Sequence, residues 1–386
     1  MISLEFIPVS KLTITKMSRL ILLSIYLMSF TAESQPKGKN FYLIVGTYTN
    51  RTSEGIYVYE FNPTTGESKA ISVAGGLKNP SFLTIAPDGK NVYAVAENEP
   101  DGGVYALQFD AKAGHLKLIN EQSSAGAYPC YIDIDPKGKW LVLANYTGGS
   151  VSVLPVNSNK SIGALTQNIP HTGSSINPER QTSPHPHSAV FAPRDNNVFV
   201  PDLGQDKIIQ YQLDPATGTM KATGSIQAVA GSGPRHIVFH PNKKFAYVIN
   251  ELNATITAYQ YGKTLTPIQT VKTLPDDFKE QNWCADLHLS PDGRFLYGTN
   301  RGHNSIVSYQ VDTTTGQLTF LERQDVHGKW PRNFMIDPTG NYLLVANQET
   351  DNIAIFKRDQ KTGMLQFTGN EIKLSMPVCL RMIAQK

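Results

Sequence analysis

A chain of 386 residues with 40% hydrophobic and 17% charged residues has the composition of a soluble globular protein, long enough for two or three average domains or one large repeat fold. The formal net charge of +3, without any run of Lys or Arg, is too small to imply a nucleic-acid partner, and none is expected. Three cysteines, Cys130, Cys284 and Cys379, exclude a disulfide framework, and no C-x-x-C or His/Cys pair has zinc spacing, so no metal is expected.

At the N-terminus, Lys11, Lys16 and Arg19 precede an apolar run from Leu20 to Phe30. That run is short for a bilayer span and suits the core of a secretory signal. Ala32 and Ser34 are small residues at cleavage spacing, so residues 1–34 read as a signal peptide with the mature chain starting near Gln35. Met17 is an alternative start, and an uncleaved anchor is the less favoured reading. A periplasmic or secreted location follows, with no stable membrane span after cleavage.

From Phe41 onward the chain repeats. A pattern of Pro, six residues, then Pro occurs at Pro80/Pro87, Pro129/Pro136, Pro186/Pro193, Pro234/Pro241 and Pro331/Pro338, with Cys284/Pro291 as a sixth copy. The second prolines lie 49, 57, 48, 50 and 47 residues apart, a propeller-blade period. A short apolar stretch precedes each second proline, and a turn such as Asp88-Gly89 or Asp292-Gly293 follows it. Next comes a second strand: Val92–Ala96, Leu141–Ala144, Phe245–Ile249, Phe295–Thr299 or Tyr342–Ala346. Segments of period two that turn at a glycine, such as Ile208 to Leu213 with Gly218, predict an outer pair of strands beyond each inner pair.

Seven outer pairs accompany six complete inner pairs. The missing strands lie at the two ends: Phe41–Thr47 matches the second inner strand and Pro377–Ile383 the first. The prediction is an all-β, seven-bladed propeller over residues 41–386, one domain whose ring is closed by terminal strands sharing a blade. An open β-solenoid is the rival, and it leaves the matching ends without purpose.

The register also assigns faces. The residue after the first repeat proline is Ser81, Cys130, His187, Arg235, Ala285, Arg332 or Val378, and the next is Phe82, Tyr131, Ser188, His236, Asp286, Asn333 or Cys379. Ten residues after the second proline stand Glu97, Tyr146, Leu203, Glu251, Arg301 and Gln348, with Tyr48 matching from the N-terminal strand. Antiparallel pairing brings these positions to one rim. Ionisable groups concentrate there on consecutive blades: His187, Arg235, Glu251, Asp286, Arg301 and Arg332. A wet channel would explain any one of them, but a converging set is costly unless paired or used. The widest repeat interval reflects a predicted extended loop over residues 166–187, which carries Arg180 and His185 toward the same rim.

These residues carry a resemblance. Pro186-His187-Ser188, Gly233-Pro234-Arg235-His236, Phe239-His240-Pro241, Asn250-Glu251-Leu252-Asn253, the stretch from Trp283 to His288 and Arg301 resemble the seven-bladed propeller lactonase family, which includes bacterial 6-phosphogluconolactonase and fungal carboxymuconate cyclases. The resemblance covers residues 41–386. It implies lactone chemistry without a metal or other cofactor, and active-site roles for His187, Arg235, Glu251 and Arg301. His236, Asp286, Arg332, His185 and Arg180 are expected to bind substrate.

In such a site water attacks a lactone carbonyl, with His187 or Glu251 as general base if burial brings either near neutrality. Arg235 and Arg301 would stabilise the oxyanion or grip an anionic substituent. Gly-x-Ser-x-Gly is absent, against a serine esterase. The expected ligand is a small lactone or sugar acid and the expected state a monomer. Two other readings stand beside this one: a carboxymuconate-type lactonising cyclase or isomerase, and a non-catalytic exported propeller that binds glycans or partners, with Tyr48, Phe82, Tyr131 and Tyr146 stacking on sugar. Export sits poorly with a cytosolic sugar-phosphate substrate.

Overall fold

Period-two stretches punctuated by glycine turns leave the backbone little choice but antiparallel ladders. A computed structural model describes residues 39–385, and the signal peptide expected over residues 1–34 lies outside them. The strands form seven four-stranded sheets, the blades, and no helix occurs among the described residues. Blade 1 contains Phe41–Thr47, and blades 2 to 7 follow in chain order, ending with Leu365–Lys373 in blade 7.

The two chain ends meet in blade 1. Pro377–Ala384 runs antiparallel to Phe41–Thr47, with Val45 opposite Leu380, and Gly55–Phe61 and Ser68–Gly75 complete the sheet. Closure therefore uses ordinary ladder bonds.

Burial falls from the second strand outward. In blade 4, Asn197–Asp202 is buried throughout, whereas the outermost strand Met220–Gln227 is mostly exposed. Aromatics on the second strands latch each blade to the next. Tyr247 donates its hydroxyl hydrogen to the Gly316 carbonyl at 3.1 Å, Tyr297 to Gly363 at 2.8 Å, and the Trp140 indole to Pro215 at 3.1 Å. Tyr342 does the same to Thr64 at 3.2 Å, so the latch crosses from blade 7 into blade 1. The receiving turns need glycine. Gly218 has φ +72°, and a Cβ there would lie 2.1 Å from the Trp140 ring.

One irregularity recurs. The register of the innermost strand slips just after the repeat position: between Pro129 and Tyr131, Pro234 and His236, Cys284 and Leu287, and Pro331 and Asn333. In blade 4, Pro186 bridges Asp202 while Val190 pairs with Phe199, so the slip falls around His187. Each is a β-bulge, an extra residue opposite no partner that re-aims its side chain. The bulged residues include Cys130, Arg235 and Arg332.

The predicted loop over 166–187 is partly a strand. Gln167–Pro170 pairs with Ser150–Val153 as the outermost strand of blade 3, with Val151 opposite Ile169. An outer edge tolerates Pro170 because no neighbour needs its missing N–H. The irregular segment begins at His171.

Candidate active site

The bulges turn side chains toward one mouth of the channel, where the ends of the second strands also emerge. Two adjoining cavities result. One of about 270 Å³ is lined by Glu97, Cys130, Tyr146, His187, Glu251 and Arg332, among others. The other, about 550 Å³, shares Glu97, Tyr128, Arg301 and Arg332 and opens toward Tyr48, Asn79 and Trp330.

Glu251 is the hub of the smaller cavity. Its Oε2 lies 2.9 Å from Arg235 Nε and 2.6 Å from Arg301 Nη2, and its Oε1 lies 2.6 Å from Arg180 Nη2. Arg180 reaches in from the irregular segment and also donates to the Tyr146 hydroxyl at 3.0 Å. Burial alone would raise the Glu251 pKa, but Arg301, Arg235 and Arg180 together bring it down to about 2. This corrects the expectation that Glu251 titrates near neutrality as a base. Surrounded by guanidiniums, it is a fixed anion that positions them.

A second carboxylate, Glu97, accepts the Tyr48 hydroxyl at 2.9 Å and the Ser81 hydroxyl as well. Arg332 lies 3.7 Å from it and 5.3 Å above the Tyr48 ring. Among the described residues Arg332 makes no hydrogen bond, so its donors face the cavities. Burial pulls its pKa down, but Tyr48 and Glu97 more than offset this, and it remains a cation. Arg301 is also cationic, with burial lowering its pKa to about 10. The mouth thus holds Arg180, Arg235, Arg301 and Arg332 against Glu97 and Glu251, an excess of positive charge.

His187 is buried between these groups. Burial, then Arg235, His236 and Arg332, holds its pKa well below the ordinary histidine value, so the imidazole is neutral. Its Nδ1 stands 3.6 Å from the Cys130 sulfur. No described group hydrogen-bonds its Nε2. Burial raises the Cys130 pKa, which keeps that residue a thiol.

His236 and Asp286 lie one layer deeper. His236 Nδ1 is 2.8 Å from Asp286 Oδ1, His288 Nε2 is 2.9 Å from Asp286 Oδ2, and Asn333 donates to the same oxygen. Burial and Arg235 lower the His236 pKa to about 4. Phe82 and Tyr131 pack beside His236, with centroids 6.0 and 5.3 Å from it. None of these residues lines the two cavities. His236 and Asp286, expected to bind substrate, thus stand beside the cavities, as does Arg235, with His236 Nε2 3.3 Å from Arg235 Nη1. His185 also stands beside the lining. Its ring stacks on Tyr146 at 4.5 Å and its Nδ1 faces the Tyr146 carbonyl at 3.0 Å, outside the cavity lining. Among the described residues no three or more His, Cys, Asp or Glu side chains form a group that could hold a metal ion.

Among the cavity residues that escaped the sequence reading, Asn79, Tyr128, Trp330 and Met376 share a left-handed backbone, with φ of 43°, 50°, 65° and 48°. Each stands directly before a repeat proline, and that shared position is the signal that would have found them. Trp330 packs under Arg301 at 5.5 Å and against Trp283 at 5.3 Å.

The chain matches the family model described as lactonase, seven-bladed β-propeller, over residues 42–382. It is 39% identical to the 6-phosphogluconolactonase of Bacillus subtilis over 75% of this chain and 83% of that protein. It is 37% identical to the 6-phosphogluconolactonase of Formosa agariphila over 76% of this chain and 85% of that one. Among solved structures, the periplasmic gluconolactonase of Pseudomonas aeruginosa superposes with a TM-score of 0.87 at 36% identity, covering 90% of this chain and all of that one.

Proposed function

Because this chain belongs to the seven-bladed β-propeller lactonases and so hydrolyses lactones, we propose that its reaction takes place at the charged mouth, on a sugar-type lactone carrying an anionic group. The observation that supports this is the surplus of guanidinium over carboxylate around one neutral imidazole. A 6-phosphoaldonolactone, the substrate class named for the Bacillus relative, fits that charge.

His187 Nε2 takes a proton from water as the oxygen attacks the lactone carbonyl. The carbonyl oxygen becomes an oxyanion against Arg332, whose donors are uncommitted. The tetrahedral species collapses by breaking the ring C–O bond. The imidazolium returns its proton to the departing alkoxide, leaving a hydroxyl and a carboxylic acid, which releases its proton to solvent to become the carboxylate. Arg301 and Arg180, each partly committed to Glu251, hold the substrate's anionic substituent. The sequence uses only side chains of this chain, and the enzyme works as a monomer.

The test is the hydrolysis of glucono-δ-lactone and its 6-phosphate above background by purified protein. Activity lost in His187→Ala supports the assignment, and equal rates in wild type and variant sink it. We further propose export to the periplasm, in keeping with the basic-then-apolar N-terminus. A mature chain starting near Gln35 in a periplasmic extract supports that, and an intact N-terminus in the cytoplasm overturns it.

A further inference from the structure

The irregular segment after His171 carries Arg180 to Glu251, and both of its ends are tied to one carboxylate. His171 Nδ1 lies 2.7 Å from Asp202 Oδ2, and the His185 amide donates to Asp202 Oδ1 at 2.8 Å. Gly204 N at 3.0 Å, Gln205 N at 3.2 Å and Gln205 Nε2 at 2.8 Å complete the shell. Asp202 is fully buried. We propose that Asp202 is a positioning residue for Arg180: a clasp that cinches residues 171–185 into a rigid strap and so sets the enzyme's affinity for the anionic part of its substrate.

The repeat itself supports this. The corresponding last residue of the second strand is Asn145, Asn250 and Asn347 in blades 3, 5 and 7, with Asn300 aligned in blade 6. These amides tie the strand end to the connection from the preceding blade and to the next strand, as when Asn145 donates to Ser124 O and Ser150 Oγ. At Asp202 every partner is a donor: three backbone N–H groups, an amide NH₂ and an imidazole N–H. Only an acceptor with no hydrogens of its own satisfies such a set. Asparagine there would turn an NH₂ toward His171 and Gln205.

Other contacts keep the strap flat. Gln181 Nε2 donates to Leu203 O at 2.8 Å, and Ser175 Oγ to Asp206 Oδ2 at 2.5 Å. The backbone at Gly204 touches the strap so closely that a Cβ there would lie 1.9 Å from Ser183 O. His171 is anchored on its other side by the Tyr211 hydroxyl, 2.8 Å from Nε2. With both ends held, Arg180 at the tip has one place to go.

The inference rests on the lactonase reading of the mouth for its kinetic part only. Two variants of the full-length protein test it. Asp202→Asn keeps the volume and installs the residue that blades 3, 5, 6 and 7 carry, and Gly204→Ala pushes the strap outward while leaving the carboxylate itself in place. Native trypsin should leave the bond after Arg180 intact in wild type and cut it first in both variants, as read by fragment mass. On an anionic lactone, KM should rise about tenfold with kcat within about twofold, matching Arg180→Ala. The Asp202→Asn/Arg180→Ala double variant should be no worse than Arg180→Ala alone. Additive effects, or a bond after Arg180 as resistant in both variants as in wild type, overturn the clasp. If Asp202→Asn does not fold, Gly204→Ala decides by the same readouts. A protein without lactonase activity overturns the functional reading, while the protease result still judges the clasp.

Discussion

Arg235 and Glu251 stand on adjacent strands of blade 5, the one a bulged residue and the other just beyond a strand end, with Nε and Oε2 2.9 Å apart. Both are buried. Glu251→Gln keeps the shape and removes the charge, leaving Arg235 and Arg301 uncompensated. Loss of one partner of a buried pair costs about 3–5 kcal/mol, so the variant should unfold at clearly lower denaturant and lose most activity. Equilibrium denaturation beside a rate assay checks both.

The same carboxylate sets an acid limit. Its folded pKa of about 2 lies below the ordinary 4.5, so its stabilising contribution is complete above about 4.5 and lost as pH falls toward 2. Denaturant midpoints should therefore drop across that window in the wild type, with a smaller drop in Glu251→Gln.

His187 predicts the shape of the rate profile. A base works when unprotonated, and its pKa is held well below 6.5 by burial and by Arg235. The acid limb of kcat/KM should fall below pH 6.5, with a plateau through neutrality. His187→Gln should lower kcat by about 10²–10⁴ and remove that limb.

Arg332 is poised over Tyr48 without a hydrogen bond of its own. Arg332→Lys keeps the charge but not the planar pair of donors. It should lower kcat by tenfold or more, about 1.4 kcal/mol, on phosphorylated and unphosphorylated lactones alike. Arg301→Lys should instead raise KM for the phosphorylated lactone selectively. Steady-state kinetics on the two substrates separates the two roles.

Gly218→Ala probes the interblade latch far from the mouth. With φ +72° and Trp140 in the way, the methyl group should cost about 1–3 kcal/mol in denaturation and leave kcat unchanged.

The ring was legible because prolines and glycine turns mark each blade, and even its closing strands were visible as two unmatched halves. That His187, Arg235, Glu251, Arg301 and Arg332 gather on one rim was legible because register in a repeat is a spatial coordinate. The roles were less legible. Glu251 looked like a base because sequence does not show that three guanidiniums, one from residues away on the strap, meet on its two oxygens. His236 and Asp286 sat at plausible positions, but a one-residue bulge separates the mouth layer from the layer beneath it. Pairing register follows from the ladder, and a bulge leaves little mark on composition.

That bulge has a consequence for how such enzymes diversify. A side chain opposite no partner contributes little to the ladder, so Cys130, His187, Arg235 and Arg332 occupy sockets whose contents strand pairing does not dictate. Blades 1 and 6 carry Val378 and Ala285 near the corresponding slip, sockets left plain. A ring of this kind separates the inheritance of architecture from the inheritance of chemistry, and a new specificity can arise by exchanging one socket at a time.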